Sequence, residues 1–215
     1  MLLVKPSAKI EMITPDALAL IEKCGRVCYK SEDKITSDSA EKFVKMIIDR
    51  GHETVLEHAS ATVRFIVDRG VSHELVRHRI ASFSQESTRY CDYEAGHISF
   101  MIPPWVEMMS GEYNCNIHFS DYSKEISAED KQWLDAMIQA ELVYKRLRSA
   151  GWKPEQARSV LPNSLKTEIA MTANFREWRH FFKLRTAAAA HPQMREVTIP
   201  LLEDFKRAVP VIFDI

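Results

Sequence analysis

Arg77-His78-Arg79-Ile80-Ala81-Ser82-Phe83-Ser84-Gln85-Glu86-Ser87-Thr88-Arg89-Tyr90 gathers three arginines, a histidine and a cluster of hydroxyls into one segment. A guanidinium is costly to desolvate and presents a planar fork of donors that suits phosphates and acidic groups. The preceding Ser72-His73-Glu74-Leu75-Val76 reads as a short helix with Ser72 as its N-cap. After Arg79 the sequence turns Ser-rich and polar, which predicts a loop. The arginines therefore fall where a helix gives way to a loop, a place where backbone N–H groups and cations can face one anion. A plain solvated basic face is the competing reading. Val71, Leu75, Val76 and Ile80 argue for a half-buried element instead.

Outward from this segment, the chain reads as an alternation of strands and helices. On the N-terminal side, Leu2 to Met12 alternates as a first strand, with Pro6 pointing to a sheet edge. Thr14-Pro15-Asp16 opens a helix carrying Leu18, Ile21, Cys24, Val27 and Cys28 to about Tyr29. Asp38 or Ser39 caps a second helix that ends near Gly51, and Ala59 to Val67 is a strand of β-branched and aromatic residues. Asp68-Arg69-Gly70 reads as a turn.

On the C-terminal side, His97 to Ile102 predicts a strand stopped by Pro103-Pro104, and Gly111 to Ser127 has only a weak pattern. Ser127 and Asp130 resemble a capping box opening a helix with the apolar stripe Trp133, Leu134, Met137, Ile138, Leu142, Val143 and Leu147, closed at Gly151. Lys153 to Pro162 is a short helix, Thr167 to Thr172 an apolar stretch that reads as a strand with a helix as the alternative, and Asn174 begins a helix to Arg185. That helix carries Trp178, Phe181 and Phe182 on one face, and Arg176, Arg179, His180 and Lys183 on the other. Pro192 opens a last helix in which Pro200 predicts a kink or a break. With no internal repeat and no low-complexity linker, residues 1–215 read as one α/β or α+β domain.

Composition narrows the functional classes. The 215 residues are 46% hydrophobic and 27% charged, with a net charge of -1, so no global field recruits nucleic acid and any anion site must be local. The four cysteines form no CxxC pair; Cys24 and Cys28 are placed for core packing, and a reduced, cytoplasmic setting is expected. No apolar run reaches membrane-spanning length. His52-Glu53-Thr54-Val55-Leu56-Glu57-His58 concentrates possible metal ligands, but the spacing is not H-E-x-x-H, and no metal is expected. A hydrogen-bonded His58 at a strand start is the plainer reading. Neither a dinucleotide glycine fingerprint nor a P-loop is present, so bound phosphates would rest on arginine forks and backbone amides.

Arg77-His78-Arg79, seven residues, then Ser87 resembles the signature of the flavin-dependent thymidylate synthases. Four further places are similar to that family, in its order. They are His52-Glu53-Thr54 with Glu57-His58; Glu155-Gln156-Ala157-Arg158 before Leu161-Pro162; Asn174-Phe175-Arg176 before His180-Phe181-Phe182; and Leu184-Arg185 with His191-Pro192-Gln193. The resemblance implies the thymidylate synthase-complementing protein fold, a mixed or antiparallel sheet flanked by helices. It implies reductive methylation of dUMP to dTMP, with methylenetetrahydrofolate as carbon donor and FAD reduced by NADPH as hydride source. A homotetramer with sites shared between subunits goes with it, and neither nucleic acid nor membrane is an implied partner. A flavin-dependent reductase using the same pocket without methylation is the alternative.

Carried over by position, the dUMP contacts are Glu74, Arg77, Gln85, Glu86, Ser87, Thr88, Arg89, Arg158 and Arg185, with Arg185 as the catalytic cation at the uracil edge. The FAD contacts are Thr54, Arg77, His78, Arg79, Gln85, Asn174, Arg176 and His180, while His52 and Tyr90 help to place folate or flavin. Three positions depart from the commoner family pattern: Glu74 replaces Gln, Gln85 replaces Glu, and His180 replaces Asn.

Overall fold

The structure, a computed structural model, describes residues 1–114 and 126–215. Cys115 and most of the weakly patterned stretch before Ser127 lie outside the described residues. In chain order the elements are β1 (Leu2–Val4), β2 (Ser7–Ile13), α1 (Ala17–Val27), α2 (Ser39–Asp49), β3 (Ser60–Asp68), α3 (Arg69–Leu75) and β4 (Ala81–Gln85). β5 (Ser99–Met101), β6 (Gly111–Glu112), α4 (Ala128–Ser149), α5 (Pro154–Ala157), β7 (Lys166–Asn174), α6 (Phe175–Arg185) and α7 (Pro192–Ala208) follow. A 3₁₀ helix, Glu53–His58, leads into β3. The chain forms two interleaved compact units. The first holds Met1–Ser7, Ile66–Leu75 and Gln85–Ile169; the second holds Ala8–Phe65, Val76–Ser84 and Ala170–Ile215.

The first unit contains a mixed three-stranded sheet in the order β5-β1-β6. β1 pairs parallel to β5, with Leu3 opposite Phe100, and antiparallel to β6. Its core joins Leu3, Ile98, Phe100 and Leu165 to Leu134, Met137, Ile138 and Tyr144 of α4. The expected cap of α4 is present: the Ser127 side chain accepts from the Asp130 N–H at 3.0 Å. Glu141, on the buried side of α4, accepts from the Ile98 N–H at 2.9 Å.

The longer sheet has the order β2-β3-β7-β4. β7 alternates strictly and β3 does so up to Val67: Ala61, Val63, Phe65 and Val67 are buried on one strand, and Thr167, Ile169, Met171 and Ala173 on the other. Period-2 burial of this kind fixes register, because a one-residue slip would expose the whole set. In the second unit α6 lies on this sheet through Trp178, whose indole N–H donates to the Ala61 carbonyl at 3.1 Å. Phe182, Phe205 and Phe213 continue the cluster, with ring centroids 4.8–5.9 Å apart. The apolar face of α6 is thus fully used in packing, and its cationic face is left for chemistry. Asn174 caps α6, its side chain accepting from the Glu177 N–H at 2.9 Å.

Five expectations change. Leu2 to Met12 is two strands in two sheets, because Lys5-Pro6 interrupts the ladder where proline lacks a donor. Asp68-Arg69-Gly70 is not a turn; α3 starts at Arg69, and an Asp68 carboxylate oxygen accepts from the Val71 N–H at 2.6 Å. Ser72 is therefore inside the helix, buried, rather than its cap. The Ser-rich stretch after Arg79 is strand β4, since a neighbouring strand can satisfy its backbone whatever the side-chain polarity. Cys28 falls just beyond α1 and is exposed. Of the kink or break expected at Pro200, α7 shows no break. Cys24, Cys28 and Cys91 are free thiols. Among the described residues no helix is long and apolar enough to cross a membrane.

Candidate functional site

In the second unit the chemistry gathers around His78. The residue is 5% exposed, its ring lying edge-on to Phe181 with ring centroids 4.9 Å apart. Its Nδ1 is 2.9 Å from Glu177 Oε1, and its Nε2 is 3.0 Å from Arg185 Nε. Arg185 Nε always bears hydrogen, so Nε2 must be the acceptor. The proton then sits on Nδ1 and is donated to the Glu177 carboxylate. Burial pushes the His78 pKa below its ordinary value; Glu177 pulls it up, while Arg185 and His180 push it down. Burial and hydrogen bonding agree on a neutral imidazole, and the Arg185 Nε–H puts its proton on Nδ1.

His78, Glu177 and His180 hold their ligand-type atoms within 4.8 Å of one another. That grouping does not fit a metal ion. Both His78 nitrogens are already engaged, and a metal at Nε2 would displace one cation with another.

Two clefts open in the same unit. One, of about 800 Å³, is lined by Ile80, Asn174, Arg176, Glu177, His180 and Lys183 together with Glu53, Glu57, Arg179 and Ile215. Arg176 pairs with Glu57 at 2.7 Å, a hydrogen bond that raises the arginine pKa, and Arg179 pairs with Glu53 at 3.2 Å. The other cleft, of about 1090 Å³, lies along α1, α2 and the 3₁₀ helix and takes in His52 and Thr54. Arg26, Lys34, Lys42 and Arg50 give it positive charge, and Phe43, Met46 and Val55 give it apolar wall. The expected flavin contacts are therefore divided: Asn174, Arg176 and His180 share the first cleft, and Thr54 lies in the second. Arg77 and Arg79 flank buried His78 and are themselves exposed. Cationic and apolar lining together suit a ligand with a diphosphate and flat ring systems.

The first unit holds the remaining expected contacts. Arg158 Nη1 donates to Thr88 Oγ1 at 3.1 Å, across 70 residues of sequence. The adjoining turn is closed by the Ser87 carbonyl, which accepts from the N–H groups of Tyr90 and Cys91. Ser87 Oγ accepts from the Arg89 N–H at 3.3 Å. Arg89 stacks over the exposed Tyr90 ring, 5.4 Å from its centroid, and lies 3.9 Å from Glu155. Arg158, Thr88, Ser87 and Arg89 thus form one corner in which two exposed guanidinium groups meet the half-buried Ser87 and the buried Thr88.

Neighbouring residues serve to hold this corner. Gln85 donates to Ser72 Oγ at 2.9 Å and to Thr167 Oγ1 at 3.2 Å. Glu86 accepts from the Tyr93 hydroxyl at 2.8 Å, Lys166 at 3.1 Å and the Glu168 N–H at 3.2 Å. Burial opposes the charge on Lys166, but hydrogen bonds to Glu168 and Glu86 hold its pKa above the usual range. Burial and the Glu86 carboxylate together push the Tyr93 hydroxyl far up, so it stays a donor. Glu74 is half-buried on α3.

The expected residues divide by unit. Glu74, Gln85, Glu86, Ser87, Thr88, Arg89, Tyr90 and Arg158 belong to the first; His52, Thr54, Arg77, His78, Arg79, Asn174, Arg176, His180 and Arg185 belong to the second. Sequence reasoning missed Glu177, Tyr93 and Lys166. Only Glu177 carries a signal: it stands at the third position of α6, where a capping-box glutamate would stand, yet its carboxylate turns to His78.

Comparison with known proteins bears on this geometry. Residues 9–211 match the family described as thymidylate synthase complementing protein. A flavin-dependent thymidylate synthase of Corynebacterium diphtheriae is 34% identical over 215 residues, covering 95% of this chain and 81% of that protein. One of Geobacter sulfurreducens is 33% identical over 210 residues, covering 93% and 82%. Among solved structures, the UMP/dUMP methylase PolB from Streptomyces cacaoi, bound with 5-Br dUMP, superposes with a TM-score of 0.76 at 25% identity. It covers 100% of this chain and 96% of that one.

Proposed function

The chain belongs to the thymidylate synthase complementing protein family, and from that premise we propose that it methylates dUMP to dTMP as a flavin-dependent thymidylate synthase. The observation that carries the substrate assignment is the Arg158–Thr88 contact, which brings a second guanidinium to the Ser87–Arg89 turn. Two arginine forks beside hydroxyls and turn amides have the donor set for a nucleotide monophosphate.

Uracil C5 is a poor nucleophile until negative charge develops on the ring. In this reading Arg185 lies against the pyrimidine edge, where a fixed cation stabilises that charge. A guanidinium cannot serve as general acid, so its contribution is electrostatic. Its Nε is held by His78, which fixes the plane of the guanidinium. Glu74, Arg77 and Gln85 add base contacts, and Glu86 shapes the turn through its Lys166 and Tyr93 partners.

The cofactor is FAD, whose reduced ring supplies hydride and carries one-carbon chemistry when bound. Asn174, Arg176 and His180 in one cleft, Thr54 in the other, and exposed Arg77 and Arg79 are the residues that would hold it. His78, neutral and buried between Arg77 and Arg79, would be a further contact. His52 and Tyr90 help to place the folate, methylenetetrahydrofolate is the carbon donor and NADPH the reductant. The working form is a cytoplasmic homotetramer.

The test is a product assay. Purified protein with dUMP, methylenetetrahydrofolate and NADPH should release dTMP in proportion to added FAD. NADPH oxidation without dTMP would replace this reading with that of a reductase.

A further inference from the structure

Glu177 lines the smaller cleft and faces His78. It is 8% exposed, and it is placed by the first turn of α6, where its own N–H is tied to the Asn174 side chain. A buried carboxylate with a single strong partner costs free energy unless that partner repays it. Here the partner is the Nδ1–H of His78 at 2.9 Å, and the opposite ring nitrogen is the acceptor for Arg185 Nε at 3.0 Å.

The chain of bonds has a direction. In a neutral imidazole one nitrogen donates and the other accepts, and the partner of one nitrogen decides the state of the other. With the Glu177 carboxylate on Nδ1, the proton is confined there and Nε2 offers a lone pair. Without the carboxylate, the proton is free to reside on Nε2, which would then point one N–H at another. We propose that Glu177 is a positioning residue for methyl transfer: it holds His78 in the tautomer whose Nε2 anchors the guanidinium of Arg185. The proposal rests on the reading that Arg185 faces the pyrimidine.

The rest of the packing is consistent with an anchored, not a mobile, arginine. The Arg185 carbonyl accepts from Thr198 Oγ1 at 2.9 Å, and Thr198 is fully buried in α7. Backbone and Nε are therefore both fixed, and the terminal nitrogens inherit their orientation. His180 and Phe181 confine the His78 ring on α6, with centroids 5.9 Å and 4.9 Å away. A ring so confined changes its hydrogen bonding by moving a proton more readily than by turning over.

Two substitutions and one spectrum test this. Glu177→Leu keeps volume and removes the acceptor; kcat should fall by about 10- to 100-fold, as when an orienting partner is lost, with KM for dUMP little changed. Glu177→Gln can still accept from Nδ1–H through its amide oxygen, and should recover most of that loss. In the wild-type holoenzyme, ¹⁵N spectra of labelled histidine should show His78 protonated at Nδ1 and bare at Nε2. That measurement needs no variant, so it decides the matter even where Glu177→Leu does not fold. An Nε2–H tautomer, an unimpaired Glu177→Leu, or a Glu177→Gln as impaired as the leucine variant would each overturn the proposal. Arg185→Ala assayed alongside separates the two layers. If it is inactive while Glu177→Leu is unimpaired, the positioning role alone fails; if Arg185→Ala is itself unimpaired, the reading of Arg185 fails first.

Discussion

Arg185 and His78 are 107 residues apart in sequence, and the Nε of the first donates to the Nε2 of the second at 3.0 Å. A guanidinium bonded to a neutral imidazole keeps its full charge while losing its freedom to swing. That combination suits a group whose work is to stabilise charge at a fixed place.

Arg185→Ala should fold, since the side chain is only half-buried at the end of α6. Turnover should fall by about 10²–10³-fold, the usual cost of one preorganised electrostatic contact. Arg185→Lys should recover little of it, because a point charge on a flexible stem cannot take the same bond to His78 and keep a planar fork. Steady-state kcat for the two variants, with circular dichroism as the folding control, checks this.

The acid limb of the turnover profile should lie below pH 6.5, the ordinary histidine value. Folding favours neutral His78, because burial, Arg185 and His180 outweigh the pull of Glu177. A group with a lowered folded pKa contributes stability above its unfolded value and loses it as pH falls through the folded one. Protonated His78 also has no lone pair at Nε2, so stability and turnover should drop in the same window. Turnover against pH, with a Tm series in the same buffers, checks the prediction.

Arg158→Ala should weaken dUMP binding by about tenfold or more, the loss expected for a hydrogen bond to a charged group. Affinity for deoxyuridine, which lacks the phosphate, should change little. Calorimetric titration of both ligands separates a phosphate contact from a general loss of structure.

Arg176→Ala should lose flavin on gel filtration while melting near the wild-type temperature. The Arg176–Glu57 pair is solvent-exposed on both sides, and such pairs add little to stability. A large fall in Tm with full flavin content would make the pair structural instead.

Much of this was legible in the sequence, and the divide has a physical basis. α6 was readable because its two faces differ so sharply: Trp178, Phe181 and Phe182 on one, Arg176, Arg179 and His180 on the other. β3 was readable from its β-branched and aromatic residues, whereas the apolar stretch of β7 fitted a helix as well until its alternate burial was seen. β4 was not, because Ser82 and Ser84 look like loop residues until a neighbouring strand supplies the ladder. The start of α3 was misplaced because Asp68 caps as well as it turns, and only its bond to the Val71 N–H distinguishes the two. Arginine-rich motifs announced the anion sites, but Glu177 and Lys166 act through partners 99 and 80 residues away. Long-range pairings of that kind leave no local pattern.

The most direct measurement is a crystal structure of the protein with dUMP and FAD. The account predicts Arg158 at the phosphate and the Arg185 guanidinium within about 3 Å of the uracil edge, hydrogen-bond reach, with its Nε still on His78. A nucleotide bound away from Arg158, or a uracil that Arg185 does not touch, would contradict it.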